Sequence, residues 1–350
     1  MYNMGIDTSC YTTSLAVLDA EGQLVIDSRK LLKVKTGERG LRQSNGLFQH
    51  IVNLEEMVSQ LDFAKGKIKS VTASKKPRNE DGSYMPVFRG GSLAGSFLAA
   101  GSNGKYYELS HQEGHLFSAL WSLRNSIKLE ELDRFMFFHI SGGTTELLLA
   151  ERQKPLVERQ NLCEEVQNDV RYKLTKIGGS TDLNGGQFID RVGVASGLDF
   201  PCGAEMDQLL QKFLLNGQMV NKILNGQMEN KINLRITVNG SEFSFSGPET
   251  QAVRLLESGE ERELIFKSVF DSIEKALGKS VINAGKEYGI SKIIISGGVA
   301  ANSFIREGLT KRLSKEKIDV LFPDIKYASD NAVGNAYFGF LLGNKVNLEV

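Results

Sequence analysis

Two of the four histidines in this chain stand four residues apart, in Ser110-His111-Gln112-Glu113-Gly114-His115. On an α-helix that spacing leaves the imidazoles about 40° apart in azimuth, on one face, so both can reach a single metal ion. A zinc protease of the H-E-x-x-H type places its glutamate directly after the first histidine, about 100° round the helix. Glu113 lies about 200° round and points away, which argues against peptide hydrolysis. A pair alone is equally a helix that happens to carry two imidazoles, so a third ligand decides. His50, His139 or a carboxylate near the C-terminus could supply it. Asp330, in Tyr327-Ala328-Ser329-Asp330-Asn331-Ala332, precedes an apolar helix, where it is either an N-cap or that third ligand.

Two further stretches suit a nucleotide. In STDLNGGQFIDR, residues 180 to 191, Asp182 and Asp190 flank Gly185-Gly186. Two carboxylates around a turn that opens a helix can grip ribose hydroxyls while the backbone approaches a ligand; the plainer alternative is an Asp-rich turn with an N-cap. In KIIISGGVAANSFIREGL, residues 292 to 309, a strand runs into Gly297-Gly298 and a helix begins near Asn302, the order nucleotide sites use at a sheet's carboxyl edge. The absence of G-x-G-x-x-G and of G-x-x-x-x-G-K-[ST] excludes the Rossmann and P-loop readings.

These residues need elements to hold them. The opening MYNMGIDTSCYTTSLAVLDAEGQLVIDSRKLL reads as three short strands with turns near Ser9-Cys10-Tyr11 and Glu21-Gly22. A helix is expected over Leu47 to Leu61, then a polar Gly/Pro-rich loop over 75 to 92 carrying Lys75, Lys76, Arg78 and Arg89. A helix over Leu93 to Ala100, a strand over Tyr106 to Leu109 and the histidine helix follow. From Arg134 the second half opens as the first did, with strand, Gly-rich turn and strand, and Gly143-Thr144-Thr145-Glu146-Leu147 aligns with Tyr11-Thr12-Thr13-Ser14-Leu15. The expectation is a duplicated α/β unit whose turns face a ligand cleft. At 350 residues two lobes are natural, 1–125 and 133–350, with a final helix over 331–343 able to pack back on the first. The local repeat NGQMVNKIL/NGQMENKIN, within 216 to 233, reads as a surface elaboration.

Composition narrows the classes. Lys plus Arg and Asp plus Glu number 42 each, which leaves only a local basic patch as a route to nucleic acid. Cys10, Cys163 and Cys202 are odd in number and far apart, and the N-terminus lacks a basic region followed by an apolar one. No apolar run approaches the ~20 residues of a membrane span. A cytoplasmic protein with no membrane role is expected.

The order of these segments resembles the TsaD/Gcp family, formerly described as O-sialoglycoprotein endopeptidases, over Gly5 to about Phe340. The match rests on GIDTSC against G-I-E-T-S-C, HQEGH against H-x-E-G-H, SGGTTEL against S-G-G-H-T-x-L, DLNGGQFID against D-x-x-x-G-E-x-x-D, FSFSG, GGVAAN, and SDNA against T-D-N-A. The resemblance implies an α/β fold of the two-lobed actin/Hsp70/sugar-kinase (ASKHA) type. It implies transfer of a threonylcarbamoyl group from threonylcarbamoyl-AMP to N6 of adenosine 37 in tRNA. It further implies one divalent metal, iron or zinc, on His111, His115 and Asp330. The nucleotide, threonylcarbamoyl-AMP or ATP/AMP, would lie on Ser141, Gly142, Gly143 and Thr144, on Asp182, Gly186, Asp190 and Gly203, and on Gly297, Gly298 and Asn302. Implied partners are tRNA, a smaller TsaB-like paralogue and a TsaE-like ATPase, in a homo- or heterodimer.

The sequence also departs from that pattern. Where the family has C-D-E-T stands Cys10-Tyr11-Thr12-Thr13, so an acidic pair is missing and acid-base work falls to Asp7 or the metal. Thr144 replaces a histidine, Gln187 a glutamate, and Pro248-Glu249 a Leu-Lys whose cation could meet tRNA phosphate. Two other readings therefore stand beside the transferase: a paralogue that binds a nucleotide-like ligand as a regulator or scaffold, and an ASKHA-type phosphotransferase.

Overall fold

The computed structural model describes residues 1–9, 11–34, 41–64, 66–153, 170–215 and 232–343. Cys10, Cys163 and nearly all of the repeat at 216 to 233 lie outside them. The chain divides into two compact units, each assembled from more than one stretch. One comprises Met1–Arg134, Ala150–Leu174 and Pro323–Val350, the other Phe135–Leu149 and Thr175–Phe322.

In the first unit the opening residues form β1 (Tyr2–Asp7), β2 (Thr12–Leu18) and β3 (Leu24–Leu31), as their β-formers and turn residues predict. β4 (Ile68–Lys76) and β5 (Lys105–Ser110) complete a five-stranded sheet of order β3-β2-β1-β4-β5, in which β1 pairs antiparallel with β2 and parallel with β4. Met4, Ile6, Leu15, Val17, Val71 and Ala73 make its apolar face, closed by Leu54 and Met57 of α1 (Gln43–Val58). The expected helix at 47 to 61 thus starts four residues earlier and passes at Ser59 into a 3-10 turn. α2 runs Phe88–Ser102, beginning inside the stretch read as loop. Gly90-Gly91 looks like a turn in sequence, but the glycines serve helix packing. A Cβ on Gly91 would come 2.8 Å from Thr8 Oγ1, and one on Gly90 3.2 Å from Leu47 Cδ1.

α3 (His111–Leu123) follows β5 directly and is almost wholly buried. The last helix, α10 (Val333–Gly343), belongs to this unit and lies against β1, β4 and α3. Three glycines make that fit possible. A Cβ would stand 2.1 Å from Ala332 O at Gly5, 2.0 Å from Gly114 O at Gly334 and 2.5 Å from Ser70 Oγ at Gly339.

The second sheet has seven strands in the order β12-β11-β6-β7-β8-β10-β9. They are β6 (Arg134–Ile140), β7 (Thr145–Arg152), β8 (Tyr172–Ser180), β9 (Thr237–Asn239), β10 (Glu242–Ser244), β11 (Lys292–Ser296) and β12 (Asp319–Leu321). The helices of this unit are α4 (Gly185–Ala195), α5 (Gly203–Leu215), α6 (Ser246–Glu257), α7 (Arg262–Tyr288) and α8 (Ser303–Lys315). α7 buries Ile265, Val269, Ile273, Leu277 and Val281, four residues apart, against the sheet's Phe138, Ile140, Ile293 and Ile295. The short α9 (Ile325–Ala328) returns the chain to the first unit. The aligned segments at 11–15 and 143–147 occupy equivalent places, each leading into the second strand of its sheet.

Candidate metal centre and nucleotide turns

The first turn of α3 is fixed by a reciprocal cap. Ser110 Oγ accepts the Glu113 N–H at 3.2 Å, and Glu113 Oε2 accepts from the Ser110 backbone N–H at 2.8 Å. Glu113 is committed to this cap and is not available as a protease-type base. With the turn locked, His111 and His115 meet edge to face with their Nε2 atoms 3.1 Å apart.

The candidate for a third ligand comes from far along the chain. Asp330 Oδ1 lies 3.2 Å from His115 Nε2 and 3.7 Å from His111 Nε2. Donors about 2.1 Å from one ion stand roughly 3.0–3.4 Å apart at octahedral or tetrahedral angles; the 3.1 and 3.2 Å separations fall in that range and the 3.7 Å one is slightly longer. The alternative role of N-cap is taken by Asn331, whose Oδ1 accepts the Val333 N–H at 2.9 Å and the Ser118 hydroxyl at 3.0 Å. Arg29 pins the preceding segment by donating to Lys326 O at 2.8 Å. The other candidates lie elsewhere among the described residues: His50 Nδ1 bonds Thr13 Oγ1 at 2.8 Å, and His139 sits on β6 stacked beside Phe137.

Asp7 completes the group. Its Oδ2 lies 3.0 Å from His111 Nδ1 and accepts the Ser9 hydroxyl at 2.7 Å. A carboxylate on Nδ1 sets the tautomer that leaves Nε2 as a ligand lone pair. Asp7 Oδ1 is buried without a protein partner. Burial opposes protonation of His111, yet Asp7 and Asp330 outweigh it and raise its pKa to about 9. Burial and the charge of His111 lower His115, and Asp330 is lowered against its burial by the His115 hydrogen bond and the His111 charge. The donor set, two imidazole nitrogens and one carboxylate oxygen with a carboxylate behind, fits one divalent ion.

In the second unit the glycine turns gather at the carboxyl end of β6. Ser141 N–H donates to Thr144 O at 2.7 Å, closing the turn, and Ser141 Oγ accepts from Gly143 N–H and Thr144 N–H at 3.3 and 3.1 Å. α4 begins against it, for a Cβ on Gly186 would lie 2.7 Å from Gly142 Cα. Gly297, at φ 110°, brings the end of β11 so close that a Cβ would meet Ile140 O at 2.1 Å. Asn302 caps α8 by accepting the Ile305 N–H at 3.0 Å, and its buried Nδ2 has no protein partner. Backbone is exposed at Gly142, Gly143 and Gly298, where a phosphate-bearing ligand could approach, while the first N–H groups of α4 are taken by Thr145 Oγ1 at 2.8 Å and Ser141 O at 3.2 Å.

The carboxylates of this unit are differently occupied. Asp182 accepts from the Phe245 and Ser246 backbone N–H groups at 2.9 and 3.2 Å and from the Ser244 hydroxyl at 2.5 Å. Burial acts against its charge, but these donors hold its pKa well below the usual carboxylate range. It ties the turn before α4 to the start of α6. Asp190 Oδ1 accepts the Cys202 N–H at 2.9 Å beside Gly203, and burial pushes its pKa up. Gln187 Oε1 reaches back to Asn184 N–H at 3.3 Å, the capping contact a glutamate would make. Sequence reasoning missed the structural role of Asn331 and the anchoring by Arg29. The spacing of Asn331 before Val333 was a usable signal for the first; nothing local signals the second.

The model of a family described as "TsaD: tRNA N6-adenosine threonylcarbamoyltransferase" matches residues 49–337. Proteins named tRNA N6-adenosine threonylcarbamoyltransferase from Sulfurihydrogenibium sp. and Thermosipho africanus are each 28% identical. The alignments cover 97% and 99% of this chain and 90% and 95% of theirs. Among solved structures, HypF of T. kodakarensis superposes with a TM-score of 0.56 at 13% identity, covering 97% of this chain and 47% of that one. At that identity the likeness bears on the fold alone, which is α/β of the actin/Hsp70/sugar-kinase type.

Proposed function

Because the chain belongs to the tRNA N6-adenosine threonylcarbamoyltransferase family, we propose that it transfers a threonylcarbamoyl group from an adenylate to the N6 amine of adenosine 37 in tRNA. The observation that carries the reading is the convergence of His111, His115 and Asp330 with Asp7 behind. These three residues would hold a divalent iron or zinc ion, for two imidazoles and a carboxylate suit both. When bound, such an ion polarises a carbonyl and offsets developing negative charge.

The chain's own residues do the rest. Asp7 Oδ2 holds the His111 Nδ1–H, and its Oδ1, which has no protein partner, is the carboxylate oxygen we assign as proton acceptor when the amine attacks. No carboxylate stands at Tyr11 or Thr12 to share that work. The turns at 141–144, 185–186 and 297–298 would seat the nucleotide, with Asn302 Nδ2 donating to it. Asp190 and Gly203 flank that set, while Asp182 keeps its shape. Among the described residues no helix is long and apolar enough to cross a membrane, and the reading places the protein in the cytoplasm.

A smaller TsaB-like paralogue and a TsaE-like ATPase are the proposed protein partners. An apolar face supports the first. Phe48, Ile51 and Val52 of α1 and Leu93 and Phe97 of α2 are exposed, and the two helices meet where Ile51 lies over Gly90. The missing acidic pair favours one other reading, a nucleotide-binding regulator without turnover.

Labelled threonine, a threonylcarbamoyl-AMP synthase, the partners and unmodified tRNA decide between them. Label on tRNA that disappears with His111→Ala supports the transferase. Nucleotide binding without label supports the regulator.

A further inference from the structure

Beside the histidine helix the first unit carries a second feature that the metal centre does not use. A groove of about 550 Å3 runs along the edge strand β5 and under the loop that follows β4. Pockets for small ligands span about 300–1,000 Å3, so this one can accept a nucleotide or more. Four cations line it, Lys75, Lys76, Arg89 and Arg171, against two carboxylates. Both carboxylates are engaged: Glu108 pairs with Lys75 at 2.6 Å, and Glu113 is held in the α3 cap. Lys76 and Arg89 have no ion-pair partner among the described residues, so the groove keeps an excess of positive charge in a chain whose net charge is zero.

Its other lining is aromatic. Tyr84 is 62% exposed, presenting a ring to solvent. Tyr106 is fixed by its hydroxyl contact with Ser92 Oγ at 2.9 Å, and Tyr107 stands edge-on to Phe338 with ring centroids 6.2 Å apart. Arg171 lies over the same Phe338 ring at 5.6 Å, which fixes the place of its guanidinium. An open trough lined by both cations and rings is suited to single-stranded nucleic acid, phosphates on the cations and bases on the rings. Ser110, the N-cap of α3, and Glu113 in its first turn also line the groove, so the groove reaches the helix that carries His111.

We propose that this groove binds a single-stranded RNA segment, with Lys76 and Arg89 on phosphates and Tyr84 stacked on a base. The assignment rests on the transferase reading for the identity of the RNA as the strand flanking the reacting adenosine. An acidic peptide lying along the edge strand is the competing occupant; three tyrosines and an unpaired lysine and arginine favour the nucleic acid.

The test is fluorescence anisotropy of a labelled anticodon-loop RNA with the intact protein, at several salt concentrations. The variants are Lys76→Glu with Arg89→Glu, and Tyr84→Ala; the exposure of Arg89 and Tyr84 makes both compatible with folding. Each single-strand phosphate contact contributes about 0.7 to the slope of log affinity against log salt. The double variant is expected to bind at least tenfold more weakly with a slope shallower by about 1.4. Tyr84→Ala is expected to lose about tenfold with the slope unchanged. Unchanged affinity in both variants, or displacement of the RNA by poly-glutamate at equal charge, overturns the proposal. The transfer assay is scored separately. Groove-dependent RNA binding by a protein that transfers no label leaves the groove and removes the transferase; transfer with unaltered KM in the groove variants does the reverse.

Discussion

Gly334→Ala would separate the two halves of the metal centre without touching a ligand. Gly334 sits in the first turn of α10, and a Cβ there would lie 2.0 Å from Gly114 O and 2.4 Å from Ser118 N. Both atoms are backbone of α3, between and just beyond the histidine pair, so neither can rotate aside. A carbon needs about 3.2 Å from an oxygen, so α10 must retreat from α3 by roughly 1 Å or more. Overpacking of this kind costs about 1–3 kcal/mol, and two rigid backbone contacts put the loss at the upper end, about 3 kcal/mol. Asp330 moves with α10, and its 3.2 Å approach to His115 is lost. A misplacement of about 1 Å at a site built for one ion is expected to weaken zinc binding about 100-fold. Urea unfolding of the metal-free protein reads the first quantity and calorimetric zinc titration the second. Gly101→Ala is the control. It sits in α2 with nothing within 4 Å of its added Cβ, and is expected to stabilise by about 0.5–1 kcal/mol. A Gly334→Ala protein with unchanged urea midpoint and zinc affinity would refute the claim that helix contact holds the ligand set together.

Asp7→Asn keeps the shape but removes the carboxylate on His111 Nδ1; metal affinity should fall about 10- to 100-fold and the His111 pKa should drop toward 6.5, read by calorimetry and by imidazole NMR titration. The pH dependence has a definite sign. His111 titrates at about 9 in the folded protein against 6.5 unfolded, so it contributes about 3 kcal/mol to the metal-free fold below pH 6.5, lost as pH rises through 9. Metal competes with that proton, so zinc affinity should rise about tenfold for each pH unit between 7 and 9, and a flat profile over that window would remove His111 as a protonated ligand.

The histidine pair was legible in sequence because helix periodicity is local: spacing of four fixes a shared face whatever the rest of the chain does. The strands before each glycine turn were legible for the same reason, as were the hairpins that open the two units. The start of α2 was not, since Gly90-Gly91 carries the same letters whether it makes a turn or lets two helices touch. Nor was the occupation of Asp182, whose partners Ser244 to Ser246 come from a distant turn.

What the chain order could never decide is which acid joins the histidines. A ligand and an N-cap give the same local pattern at Asp330; in the fold Asn331 takes the helix N–H, which leaves the Asp330 carboxylate beside the histidines. α10 can lie on α3 and β1 because Gly5 and Gly334 leave room for backbone to meet backbone and Gly114 leaves room for the Asn335 side chain. Sequence set the donor types and the face they share. Their convergence is a packing outcome, decided where α3, from the first half of the chain, meets the last helix.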